Sequence, residues 1–393
     1  MIKISFIGDI MCEPMLLNAA KQRDGTYNFS GVFDNVRDSF KESDYVIGNL
    51  ETPLAGKNAG YVRELFSFNA PDEFAKAIKE AGIDFVSTAN NHCVDRGIKG
   101  LKRTLKVLDS NELKHDGTFE KCEEHVPFVT DVKGTKIALL SYTYGTNYGT
   151  HHKQLPDQRF VELLHSDTEP VYITDKISLG GKLKAILFKP LKLEQKAAIK
   201  KALGMEFNRA RKDDFLDEKR AQPYFDSLEK KIRIAKEAAD IVIFLPHIGG
   251  QFNTEPGKFT YYAINKAIDY GVDAVIASHP HIVQKADVIN NIPCFFSIGN
   301  FSMSPNSVYL LHDNLPEYGL IVHLYIKDKR ICKITFSILK IIEEKGRMLS
   351  VWPVDSLSYP CKRDIMIIYK TLTGQEITDP IVRHEYDYKV FSA

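Results

Sequence analysis

Short β-branched and aromatic runs alternate along this chain with stretches whose apolar positions recur at helical spacing. "IKISFIG" opens the chain as a strand, and Gly31 to Lys41 reads as a helix with Val32, Phe33, Val36 and Phe40 on one stripe. "YVIGN" is a strand. "APDEFAKAIKEAG" is a helix, with proline and acids in its first turn and Gly82 near its end. "IDFVSTA" is a third strand, and a helix follows from Gly97 to Ser110. This β-α-β-α order predicts parallel strands with helices packed on the sheet faces. "VPFVTDVKGTKIALLSY" predicts a hairpin turning at Lys133 and Gly134. The rhythm returns with a helix from Pro223 to Asp240, the strand "IVIFLP", a helix from Phe259 to Tyr270 and the strand "DAVIAS". Two short strands then flank Asn290 and Asn291, and "YGLIVHLYIKDKRICKITFSILKI" is a long antiparallel hairpin.

From about Gly145 to Gln222 the pattern dissolves. "NYGTHHKQLPDQRF" is polar and turn-rich, and "LEQKAAIKKALGMEFNRARKDDFLDEKR" is helical and highly charged. This region, about residues 147–220, is expected to be an insertion outside the main core, a lid or small helical subdomain. After about Ser350 the tail is less patterned.

Composition narrows the class. With 393 residues, 44% hydrophobic, 26% charged and a net charge of +1, the chain suits a globular protein with a large core. The balanced charge argues against nucleic acid as a partner. No apolar run is long enough for a membrane anchor. Six scattered cysteines without a C-x-x-C pair, and no signal peptide, lead to the expectation of reduced thiols and a cytoplasmic location.

The candidate chemistry is positional. Asp9 follows the first strand, Asn49 and Glu51 the second, and Asn90, Asn91 and His92 the third. His247 follows "IVIFLP", His279 and His281 follow "AVIAS", and Asn300 follows "CFFSIG". Each has a structural reading by itself: Asp9 as a helix cap, Glu51 as a loop acid, the asparagines as turn residues, His247 as a core-edge imidazole. Ligands of open α/β sheets, however, bind outside the carboxyl ends of the strands, where all of these would converge. Pro280 is expected to hold His279 and His281 on a stiff, extended segment. Nitrogen and oxygen donors without thiolate suit manganese, iron, zinc or nickel, and their number exceeds the need of one tetrahedral ion. Two divalent ions about 4 Å apart would use them, an arrangement that hydrolyses phosphate esters.

"GDIM", "GNLETPL", "NNHCVDRGIKGL", "PHIGGQF", "SHPHIVQ" and "SIGNF", in this order, resemble the CapA family of bacterial capsule and poly-γ-glutamate synthesis proteins. The resemblance spans about residues 2 to 303 and implies a four-layered αββα sandwich of calcineurin-like metallophosphoesterase type. On that reading residues 1–303 form the main domain, and 304–393 add a β-hairpin that completes the sandwich, plus the tail. The resemblance implies two divalent ions, manganese, iron or zinc, on Asp9, Glu51, Asn91, His247, His279 and His281. His92 would be the general acid. Asn49, Asn90, Asp95 and Asn300 would support ligands or substrate. Met11 stands where phosphoesterases carry a ligating histidine, and Asn49 near their bridging aspartate, so Glu51 would have to supply the carboxylate. "HIGGQF" departs from the family's usual "HWGxEY". The implied function is hydrolysis of a phosphate ester, with a phosphorylated or capsule-polymer substrate and capsule-synthesis proteins as partners. The alternatives are a non-catalytic polymer-binding or scaffold protein and an amide-bond enzyme acting on γ-glutamyl polymer.

Overall fold

The computed structural model describes residues 1–61, 66–147, 155–166, 195, 199–200, 202–203, 210–307, 309–344, 347–377 and 381–391. Two mixed sheets face each other. The first runs β13 (Ser350–Pro353), β12 (Arg330–Ile342), β11 (Tyr318–Lys327), β1 (Ile2–Ile10), β2 (Tyr45–Leu50), β3 (Phe85–Ser87), β4 (Lys114–Asp116), with β14 (Tyr386–Val390) also on β12. Strands β1 to β4 are mutually parallel, and β11 is antiparallel to β1. The second sheet runs β5 (Phe128–Val132), β6 (Thr135–Thr143), β7 (Ile241–His247), β8 (Ala274–Ile276), β10 (Ile292–Phe295), β9 (Ala286–Ile289). Its strands β6, β7, β8 and β10 are parallel.

Side-chain alternation divides the apolar residues among layers. Ile4, Phe6, Ile47 and Phe85 from the first sheet meet Leu139, Ile243 and Ile276 from the second in the central core. The other face of the first sheet packs Ile10, Val46 and Val86 against Leu16 and Leu17 of α1 (Pro14–Ala20), Phe40 of α2 (Arg37–Lys41), Phe74 and Ile78 of α3 (Asp72–Glu80) and Leu108 of α4 (Gly97–Ser110). The outer face of the second sheet packs Leu140, Phe244 and Val275 against Phe225 and Ile232 of α5 (Glu218–Ala238) and Phe259 and Ile264 of α6 (Lys258–Tyr270). This is the expected αββα sandwich. A last helix, α7 (Lys362–Thr373), adds Ile365, Ile368 and Leu372 to the central core.

Three local expectations are corrected. Gly31 to Lys41 is not one helix: a 3-10 turn at Asp34–Val36 precedes the short α2. Its apolar stripe is buried as expected, but the Val32 carbonyl accepts from Val351 N of β13 and is lost to helical bonding. Helix α5 starts five residues before Pro223, because the Asp217 side chain accepts from Arg220 N and caps it there. His279 and His281 do not lie on an extended segment: their φ values are +106° and +59°. Much of the expected insertion falls outside the described residues. One described stretch of it, 155–166, packs Leu155, Phe160, Val161 and Leu163 against Cys93, Val94, Leu101 and Leu105.

Candidate metal centre

The parallel strands β1, β2 and β3 of one sheet and β7, β8 and β10 of the other end at the same edge of the sandwich. Asp9 pairs with Asn49 in the β1–β2 register and bridges to Asn300, while His247 bridges to Ser278. These crossings bring both sheets' strand ends within side-chain reach. Asp9, Glu51, Asn91, His247, His279 and His281 are all buried.

Two donor groups emerge, each close enough to hold one metal ion: Glu51 with His247 and His279, and Asp9 with Glu51 and His281. Glu51 belongs to both. Its two carboxylate oxygens are buried and accept no hydrogen bond among the described residues. An ionised carboxylate desolvated in this way is costly unless a cation compensates it. His247 Nε2 lies 3.3 Å and His281 Nε2 3.8 Å from Glu51 Oε1. These donors fit divalent cations.

The supporting contacts orient the donors. His247 Nε2 lies 2.9 Å from Asn91 Oδ1 and 3.0 Å from His279 Nδ1, while its Nδ1 is 3.1 Å from Ser278 Oγ. Asn49 donates to Asp9 Oδ1 at 2.7 Å and does not carry the shared carboxylate. His281 Nδ1 lies 3.0 Å from Asn300 Oδ1, whose amide nitrogen donates to the His281 and Pro316 carbonyls. Fixing one ring nitrogen leaves the other for a metal. The left-handed backbone of His279 is held by its N–H on Asp9 Oδ2 at 3.2 Å and by Phe252 N on the Pro280 carbonyl at 2.8 Å. Strain of this kind persists only where its surroundings over-determine it.

Charge follows from burial and neighbours. Burial opposes ionisation of Asp9, but the His281 hydrogen bond and the charges of His247 and His281 hold its carboxyl below the usual value. Burial also works against charged His281, yet Glu51 and Asp9 outweigh it and push the imidazole up to about 9. His279 is held well below the ordinary histidine value by burial first and then by the His247, His281, His92 and Arg211 charges.

His92 stands beside this cluster. Its Nδ1 is 2.7 Å from Asp95 Oδ2, its backbone N–H donates to Asn90 Oδ1, and Phe68 covers its ring. Burial lowers its basicity, but Asp95 and Glu51 raise it by more. Asp95 therefore orients His92; it also accepts from Phe68 N at 2.7 Å. Asn90 donates to the Leu50 carbonyl, tying the loop after β3 to β2.

Met11 contributes no donor of this kind; it is buried in an apolar cluster with Phe68, Phe252, Ile282 and Met303, which borders His92 and His281. Beyond it, buried Glu13 accepts from Ser304 N, from Ser307 Oγ at 2.6 Å and from Tyr309. Sequence reasoning missed Glu13, Ser278, Tyr144 and Asn147. The Tyr144 ring is 4.7 Å from that of His279, Asn147 N donates to the Asn91 carbonyl, and the Asn147 amide nitrogen lies 3.3 Å from His92 Nδ1. Ser278 had a signal, since it ends the strand before His279. Tyr144 and Asn147 had none, because polar residues at an insertion boundary look like any loop.

A family model described as bacterial capsule synthesis protein PGA_cap matches residues 3–304. The chain belongs to that family. It is 25% identical over 308 residues to a capsule biosynthesis protein CapA of Bacillus anthracis, covering 76% of this chain and 59% of that one. It is 24% identical over 304 residues to a PGA biosynthesis protein CapA of Bacillus subtilis (strain 168), covering 76% and 63%. The matched part thus spans about three fifths of the length of these two CapA proteins. Among the described residues no helix of this PGA_cap-family chain is long and apolar enough to cross a membrane.

Proposed function

We propose that this chain is a metal-dependent phosphoesterase of capsule or poly-γ-glutamate synthesis, using two divalent ions of manganese, iron or zinc. The observation that carries the reading is Glu51, a buried carboxylate that no described residue donates to and that belongs to both donor groups. His247, His279 and Asn91 would hold one ion and Asp9 and His281 the other, with Glu51 shared. Bound there, such ions polarise a phosphoryl oxygen and acidify a water. Asp95 would accept from His92 Nδ1, and Nε2, 3.4 Å from the Asn147 amide nitrogen, would pass a proton to the leaving oxygen. Asn147 and Phe68 restrict the ring's swing. Burial excludes bulk water and strengthens each of these contacts. The substrate would be a phosphorylated or polymer-linked ester, met together with other capsule-synthesis proteins. Six free cysteines suit a reducing, cytoplasmic compartment.

The rival is a polymer-binding or scaffold protein of the same fold. In its favour, Glu51, His279 and His92 are between 0% and 2% exposed, so the centre is closed to a large ester. Elemental analysis with hydrolysis of nitrophenyl phosphate mono- and diesters decides between them. For a phosphoesterase, His92→Ala keeps its metal and loses about a hundredfold or more in rate, while Glu51→Ala loses metal and rate together. Metal without hydrolysis across the panel would select the scaffold.

A further inference from the structure

Strand β6 ends at Thr143, which pairs with His247 at the end of β7. The residues that follow, Tyr144 to Asn147, cross from the second sheet to the loop after β3 in the first. Tyr144 N donates to the His247 carbonyl at 3.1 Å, and Asn147 N donates to the Asn91 carbonyl at 2.6 Å. Between these anchors Thr143 Oγ1 donates to the Gly145 carbonyl at 2.9 Å. The span is thus tied at each end to the main chain of a candidate ligand. Its last tie falls on the residue next to His92, so the Asn147 side chain and the His92 ring ride on one joined unit. The Asn147 amide nitrogen lies 3.3 Å from His92 Nδ1 and 3.4 Å from Nε2. Near-equal distances to both ring nitrogens place the amide across the ring, where an N–H cannot point along either lone pair, and both distances are long for a hydrogen bond. Nδ1 is engaged by Asp95 Oδ2 at 2.7 Å. The amide therefore keeps donor capacity. Of the side chains placed against the His92 ring, Asp95 and Phe68 are buried, whereas Asn147 is partly exposed. Asn147 marks the solvent side of the ring.

We propose that Asn147 is a further catalytic residue, whose amide donates a hydrogen bond to the leaving oxygen of the ester. This role rests on the hydrolytic reading of the same centre. Because Nε2 and the amide nitrogen are 3.4 Å apart, one oxygen can lie about 3 Å from both. In the hydrolysis the oxygen of water joins phosphorus, and the bond from phosphorus to the leaving oxygen breaks. The leaving oxygen takes the Nε2 proton, and the proton lost by the water restores it. Negative charge grows on the leaving oxygen as that bond stretches. A donor already fixed there stabilises the transition state more than the ground state. The main-chain tie to Asn91 supplies the fixity. Such help matters most for a basic leaving oxygen, so the substrate class is a phosphate ester of a weakly acidic alcohol rather than an activated aryl ester.

The test compares phenyl and dinitrophenyl phosphates, as mono- and diesters, on the manganese-loaded full chain. Phenyl esters release the more basic oxygen. The variants are Asn147→Ala and Asn147→Asp, the second keeping the size but lacking the amide donor. Both should keep their metal content and thermal transition. In kcat they should lose about tenfold or more on the phenyl ester but less than about threefold on the dinitrophenyl ester. Equal losses on the two esters, a wild-type phenyl rate in either variant, or loss of metal or of the thermal transition from both variants each overturn the role of Asn147. The hydrolytic reading survives those outcomes, because wild type still turns over. A wild type that holds metal and hydrolyses neither ester sinks that reading, and the role of Asn147 with it.

Discussion

Glu51 and Met11 show how little a residue's type says without its neighbours. Glu51 accepts no hydrogen bond among the described residues and belongs to both donor groups, which makes it the key donor of the proposed centre. Glu51→Gln keeps the shape and removes its charge. On the proposed two-ion reading, elemental analysis should find metal content depleted, and full metal content would refute the shared role. Met11 sits among Phe68, Phe252, Ile282 and Met303, which accommodate a thioether well and an imidazole badly. Met11→His should therefore add no metal. It should cost about 1–3 kcal/mol in urea unfolding, because a buried polar ring is left without a partner.

Single elements carry the next level of organisation. The turn after β8 holds both histidines left-handed, which frees their rings to diverge around Pro280. Helix α6 borrows its cap from Asp213, 44 residues before Gly257. Asp213→Ala should lower stability by about 1 kcal/mol in chemical unfolding. In the first sheet, His323 of β11 lies between Ser5 and Ser337, with Nδ1 2.7 Å from Ser5 Oγ. Burial first, and then the Lys3 and His384 charges against the opposing Glu385, depress it to about 3. The unfolded chain takes up this proton near pH 6.5 and the folded chain near 3. The His323 contribution is thus present above pH 6.5 and is lost as pH falls toward 3, by up to about 1.4 kcal/mol per pH unit. Unfolding at pH 7 and pH 5 should show a smaller pH dependence in His323→Gln than in wild type.

At the scale of the whole molecule, the family match stops at residue 304 but the sandwich does not. Strand β11 completes the pairing of β1, the strand that carries Asp9, and β11, β12 and α7 supply Leu320, Val322, Phe336, Ile338 and Ile365 to the central core. A chain ending at residue 304 should fail to fold cooperatively, as read by circular dichroism during thermal melting. A sharp transition would show that the matched region is self-sufficient. The candidate metal centre depends on the same assembly, since its donors come from both sheets.

Periodicity and strand-end chemistry made most of this protein legible from its sequence. The alternation of "IKISFIG", "YVIGN" and "IVIFLP" with amphipathic helices specifies layers, because burial of apolar faces has few solutions. Donors at those strand ends specify the candidate site, because parallel strands deliver their ends to one edge. Short-range signals were silent where a distant segment takes over a backbone group. The Val32 carbonyl goes to β13, the cap of α6 comes from Asp213, and the backbone of His279 is held on Asp9. The sharing of Glu51 between two donor groups, the burial of Met11 and the seating of Asn147 against His92 were likewise decided by tertiary contact. Each depends on distances between residues far apart in the chain, which no local pattern encodes.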